Sequence, residues 1–185
     1  MQAAERPENA VTEQIDPALF REPLEFIFAD HYRQRVVCNT LEAIVSDPSH
    51  GREEEDIRAI LDYLERDLPL HVADEEESLF PLLLQRCEPV DNIGEVLAIL
   101  GDEHDKDQAL TAAVKQGLTA ILEHRDEDDL EACFRNTLAF VETQRRHLAW
   151  ENGIVLPLAR KRLGSADLID LGRAMATRRG QSLPD

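Results

Sequence analysis

The chain has 185 residues, 43% of them hydrophobic, which suits one domain with a sizeable core and leaves little room for two. Its 38 acidic residues against 20 Lys and Arg give a net charge of −18, which repels nucleic acid and anionic membrane surfaces and argues against both as partners. With 8 Gly, 9 Pro and 5% aromatic residues, a strand-rich sandwich is disfavoured as well. Cys38, Cys87 and Cys133 lie far apart and form no CxxC pair, so they read as reduced thiols. No apolar signal region opens the chain and no segment reaches the length of a membrane span, so a soluble, cytoplasmic protein is expected.

Residues 1–16 are polar and aperiodic and read as a flexible tail. Asp16-Pro17 and Glu22-Pro23 are successive helix-start signals. A first helix is predicted from Pro23 to about Ser46, with Leu24, Ile27, Phe28, His31, Cys38, Leu41 and Val45 on its apolar face. Asp47-Pro48-Ser49-His50-Gly51 breaks it. A second helix starts in Glu53-Glu54-Glu55-Asp56, where negative charge suits a helix amino terminus. Its stripe passes through Ile57, Ile60, Leu61, Leu64, Leu68, His71, Glu75, Leu79 and Leu82 to about Cys87, with Pro69 expected to kink it or to begin its second half.

Asn92 with Glu95 resembles a capping pair for a third helix through Val96, Leu97, Leu100, His104, Val114, Leu118 and Ile121. Asp126 is a good N-cap for a fourth, carrying Phe134, Leu138, Val141, His147, Glu151, Ile154, Val155 and Leu158 to about Leu163. Ser165 could cap a short last helix through Leu168 and Leu171, laid over one end. The fold expected is all-α: an antiparallel up-down-up-down four-helix bundle over residues 17–163, with a short carboxy-terminal helix and tail over 164–185.

Two segments repeat one pattern. His71 is followed by Glu75 and Pro81, His147 by Glu151 and Pro157, so each His has a Glu four residues on and a Pro ten residues on. Each is preceded by a His on the helix before it, His31 by 40 residues and His104 by 43. Positions four apart share a helix face, so each His and Glu can converge on one point. Counting out and back through the three turns gives runs of about 15, 12 and 20 residues that nearly cancel at about 1.5 Å rise per residue. All six groups then fall in one layer.

Six polar groups interrupting apolar stripes need a reason. A buried unpaired carboxylate is costly, and two facing each other cost more. A pair of metal ions removes that cost, with Glu75 and Glu151 as bridges and the four imidazoles as terminal ligands. Mixed nitrogen and oxygen ligation inside a helix bundle suits non-haem iron best, ahead of manganese or zinc. The bland alternative is a set of hydrogen-bonded core histidines, yet two matching pairs at one level exceed chance. His50 and His124 fall near helix ends, where they read as solvated dipole partners. Cys38 reads as core packing. In the Glu75-Glu76-Glu77 run only Glu75 is expected to face inward.

These residues, His31, His71-x3-Glu75, His104 and His147-x3-Glu151, resemble the hemerythrin-like, HHE cation-binding family over roughly residues 23 to 163, and LHVADEEESLFPLL is particularly family-like. The resemblance implies two non-haem iron ions held by His31, His71, His104 and His147 and bridged by Glu75, Glu151 and one solvent-derived oxygen. Oxygen-carrying hemerythrins place a fifth His four residues after the one on helix three, where this chain has Gln108, and use His-x4-Asp on the last helix, where it has His147-x3-Glu151. Each iron would then have five ligands and one open position, unless Gln108, Asp107 or water completes the set. Arg35, four residues after His31, is expected to pair with an acid or to line an entrance.

Two functions compete. One is a di-iron protein that binds or senses O2, or a related diatomic such as NO. The other is a defence or iron-handling enzyme that reduces peroxide or NO or delivers iron. Ferritin-like oxidases use Glu-x-x-His pairs, and no Glu stands three residues before any of the 6 His, so that class is rejected. A metal-free structural bundle is the remaining alternative.

Overall fold

The computed structural model describes residues 14–46, 54–123 and 127–183, with backbone alone for 127–130. Every regular element among them is helical. Helix α1 is Pro23–Ser46. Rod α2 (54–86) is built from Glu54–Asp62, Tyr63–Asp67, Leu68–Asp74, Glu75–Leu79 and Phe80–Arg86. Helix α3 is Ile93–Leu122, and rod α4 (127–162) joins Glu127–Trp150, Glu151–Val155 and Leu156–Arg162. Helix α5 is Ser165–Arg178, and short 3-10 turns cover Pro17–Arg21 and Pro89–Asp91. None of the described helices is long and apolar enough to cross a membrane. The break at residues 47–51, the cap at Asp126, and both His50 and His124 lie outside the described residues.

Contacts between the rods run in opposite order. Along α1 and α4, Glu25 meets Arg160 while Glu42 meets Arg145. Between α3 and α4, Glu103 meets Arg146, while Asp91, in the turn just before α3, meets Arg162. Apolar side chains gather in two clusters. One holds Phe20, Ile27, Leu79, Leu83, Leu100, Leu156 and Met175; the other holds Cys38, Leu41, Ile60, Leu64, Leu118 and Phe140. The polar layer of His and Glu lies in sequence between the residues that each rod gives to these two clusters.

Several local expectations differ from the structure. Residues 14–16 are not a loose tail, because Ile15 packs on the first cluster and Asp16 Oδ1 accepts from the Ala18 N–H at 2.9 Å. Phe28 and Leu138 are 50% and 47% exposed, whereas Phe140 is buried. Asn92 does not cap α3: it sits at φ 48° and its side chain contacts Glu95 at 3.3 Å instead. The cap before α5 comes from Asp167, whose Oδ2 accepts from the Gly164 N–H. Helix α5 is also more than a lid. Leu171 and Met175 are fully buried, and Gly172 lies so close to the Phe20 carbonyl that a Cβ would collide with backbone.

Candidate metal centre

The prolines inside the rods shape this layer. A helix proline lacks an N–H and crowds the carbonyl four residues back. Here each is preceded by a turn widened by one residue: Leu68 N–H bonds the Tyr63 carbonyl, Phe80 N–H that of Glu75, and Leu156 N–H that of Glu151. Pro69, Pro81 and Pro157 follow these donors directly. The rods therefore continue through all three prolines. Two of the widened turns begin at Glu75 and Glu151 themselves, and such turns favour functional sites. The extra residue also advances the inward face, so Leu83 rather than Leu82 is fully buried.

All six predicted residues come together, each buried and both Glu wholly so. Their ligand atoms form two groups, His31, His71, Glu75, Glu151 and Glu75, His104, His147, Glu151, each within 4.8 Å. Both carboxylates are common to both groups. His31 Nε2 lies 3.7 Å from Glu75 and 3.4 Å from Glu151. His71 and His104 Nε2 approach Glu75 Oε2 at 3.5 and 3.6 Å. His147 Nε2 is 2.8 Å from Glu151 Oε1, without the angles of a hydrogen bond. All four oxygens of Glu75 and Glu151 lack a hydrogen-bond partner.

Each of the four imidazoles in the cluster is held from behind by its Nδ1. Asp30 Oδ2 lies 3.1 Å from His71, Asn152 Oδ1 2.9 Å from His31, Glu76 Oε1 2.8 Å from His104 and Glu103 Oε2 3.1 Å from His147. Such acceptors fix the tautomer that leaves Nε2 free to ligate. The pattern repeats between the hairpins. The acid just before the His of the first helix of each pair serves the His of the second, and the residue just after each Glu reaches across to the other hairpin. Glu76 is thus not merely a solvated neighbour of Glu75, which corrects the expectation for that run.

The hemerythrin HHE cation-binding domain model matches residues 22–159. The chain belongs to this family. It is also 29% identical over 171 residues to an uncharacterized protein of Haemophilus influenzae, an alignment covering 88% of this chain and 92% of that one. The cation-binding description of the family agrees with a buried cluster made only of groups that ligate metals.

Gln108, at the place of the oxygen carriers' fifth His, is exposed. Asp107 is buried but accepts from Gln144 Nε2 at 2.7 Å and is outside both groups of ligand atoms. Arg35 points outward over the Tyr32 ring, which corrects the expectation of an acidic partner or an entrance. Cys38, Cys87 and Cys133 form no disulfide, and the first and last are buried.

The electrostatics of the cluster call for positive charge. Burial opposes protonation of His71, but Glu75, Asp30 and Glu151 outweigh it and push the imidazole up to about 10. Burial likewise opposes His147, and Glu151 and Glu75 carry it up to about 9. Burial would raise the Glu75 carboxyl, yet His71, His31 and His104 hold it well below the usual carboxylate range. An ionised Glu75 carboxylate thus remains in a buried layer, compensated by whatever cations it contains. A cleft of about 480 Å³ reaches the layer from the α2–α3 side and ends at His71, His104 and His147.

Proposed function

We propose that the layer holds two iron ions, one bound by His31 and His71, the other by His104 and His147, with Glu75 and Glu151 bridging them. The observation that carries this reading is the sharing of both orphaned carboxylates by two sets of four ligand atoms. Two nitrogen donors and two carboxylates per position suit iron, and the six residues come from all four rods of what we read as an antiparallel up-down-up-down bundle. Asp30, Asn152, Glu76 and Glu103 would orient the imidazoles.

Function then follows from open coordination. Four protein residues per ion, with no fifth His on α3, leave room for a small exogenous ligand on the side where the cleft arrives. Ferrous iron supplies the electrons by which a diatomic such as O2 or NO can be bound. We read the protein as one that binds or senses such a ligand in the cytoplasm; redox defence or iron handling is the alternative. An optical spectrum of anaerobic, iron-loaded, reduced protein, followed through oxygen addition and removal, separates the two. A charge-transfer band that vanishes when oxygen is removed supports binding, and one that persists until a reductant is added supports defence or iron handling. Failure to retain any iron sinks both.

A further inference from the structure

The four acceptors behind the imidazoles differ in charge. His104 Nδ1 meets the Glu76 carboxylate at 2.8 Å, and His147 Nδ1 meets the Glu103 carboxylate at 3.1 Å. In the other pair, His71 Nδ1 meets the Asp30 carboxylate at 3.1 Å, but His31 Nδ1 meets the amide oxygen of Asn152 at 2.9 Å. That amide cannot turn freely, because Asn152 Nδ2 donates to the Leu148 carbonyl at 2.9 Å. One pair of imidazoles therefore rests on two anions, the other on one anion and one neutral dipole.

The charges further out largely offset one another. Arg33, 3.6 Å from Asp30, is matched by Asp67 at 2.8 Å. Arg146, 2.9 Å from Glu103, is matched on the same side by the buried Asp107, three residues after His104. Asp74 and Glu77 match Arg178 and Arg179, and Glu65 matches Lys115 at 3.9 Å. Gln34, Gln108 and Gln144 along the cleft are uncharged. What distinguishes the two pairs is thus the group in direct contact with each ring. A carboxylate draws the Nδ1 proton and makes the imidazole a more basic ligand, which favours the more highly charged metal ion.

We propose that Asn152 makes the two metal positions unequal, so that the iron held by His104 and His147 gives up an electron first and the iron held by His31 and His71 keeps its electron longest. This rests on the reading of the layer as a di-iron centre. Asn152 touches His31 and acts through it, as a positioning residue. The step is the passage of one electron from ferrous iron to an oxidant. It takes place at the ion whose two imidazoles both line the cleft, where an exogenous ligand arrives.

Spectroelectrochemical titration of the iron-loaded full chain tests this, with iron content measured in each sample. The parent should be oxidised in two separate one-electron steps, and Mössbauer spectra of its half-oxidised form should show one ferric and one ferrous ion. Asn152→Asp puts an anion behind His31, which should lower the upper potential more than the lower. Glu103→Gln removes an anion behind His147, which should raise the lower potential more than the upper. Both variants should therefore draw the two steps together, with the stability constant of the half-oxidised form falling about ten-fold, a narrowing of about 59 mV for one electron. The opposite order would widen the gap in both variants, and a merely structural role would move both potentials alike; either result overturns the proposal. Two averaged ions in the half-oxidised parent would overturn it without any variant, should the variants lose iron. A parent that retains no iron would sink the di-iron reading itself, whereas a parent with two irons and a widening gap would sink the proposal alone.

Discussion

The two halves of the His/Glu layer share their carboxylates but not their surroundings. The half built on His31 and His71 is the more enclosed, since the cleft touches His71 but not His31. Asp30, behind His71, is 2% exposed, and beside it Arg33 contacts Asp67 at 2.8 Å and covers the Tyr63 ring. Next to Glu75, the buried Asp74 is gripped by Arg178 and Arg179, which bind α5 to α2. The half built on His104 and His147 faces the cleft, and the Glu76 side chain behind His104 is 41% exposed. One half is therefore organised to hold its groups still, and the other to admit something from outside. A repeat in the sequence of this chain thus need not be a repeat in function.

The largest effect should come from removing what the halves share. Glu75→Leu with Glu151→Leu deletes the common carboxylates, so metal content should fall to background in both halves at once. Without metal, the same double variant should melt below the metal-free parent near pH 6, since it strips His71 and His147 of the carboxylates that stabilise their protonated forms. Metal analysis with parallel thermal melts checks both parts. Normal metal loading in the variant would mean that the carboxylates are structural only.

A smaller effect should separate the halves. Asp30→Asn and Glu76→Gln each weaken the acceptor behind one imidazole, and such changes typically cost about 10–100-fold in metal affinity. The loss should be greater at Asp30, where water cannot take over, than at the half-exposed Glu76. Chelator competition measures both, and equal losses would break the distinction between a closed and an open half.

How this layout was written in the sequence depends on the kind of signal. The helical stripes, the ends of α1 at Pro23 and Ser46, and the convergence of six groups on one layer follow from periods and counts, which are local. The groups behind the imidazoles were visible only as dipeptides: Asp30-His31, Glu103-His104, Glu75-Glu76 and Glu151-Asn152. Asp30 serves the His of the next helix, and Glu76 and Asn152 serve the opposite hairpin, so no single-helix pattern could assign them. The widened turns left one trace, a proline six residues after Tyr63, Glu75 and Glu151. A strict 3.6-residue period reads such a proline as a kink and so places the inward face at Leu82 and not Leu83. The cleft residues Gln34 and Gln144 looked like ordinary polar helix positions, because burial of a single amide has no periodic signature.

Loosening the closed half should cost stability before it costs metal. Asp74 is 1% exposed, and burial raises its carboxyl even with Arg179 and Arg178 beside it. Arg179→Met leaves Arg178 as the remaining cation, so the expected loss is about 1–3 kcal/mol, below that of a fully broken buried pair. Chemical denaturation of the metal-loaded variant reads this directly. Metal content should stay near the parent value, since Arg179 contacts Asp74 and not the cluster.

The finest distinction is between protons and metal as the cations of the layer, and pH separates them. In metal-free protein His71 and His147 are pushed up to about 10 and about 9, above the ordinary value of 6.5. Below about pH 6.5 both are protonated folded and unfolded, so their stabilising contribution is complete. As pH rises, the unfolded chain releases protons that the folded one keeps, and the contribution is lost as pH passes through about 9 to 10. Glu75 is shifted the other way: its contribution is present above the ordinary carboxylate value near 4.5 and is lost as pH falls. Metal-free protein should thus be most stable near pH 5 to 6.5 and weaken towards pH 9, by up to about 1.4 kcal/mol per pH unit for each proton concerned. Metal-loaded protein should do the reverse over pH 5 to 8, because neutral imidazoles and ionised carboxylates are the ligating forms. Denaturation curves across that range, with and without metal, should diverge as pH rises. Parallel curves would mean that metal, if retained, is bound elsewhere than among these histidines.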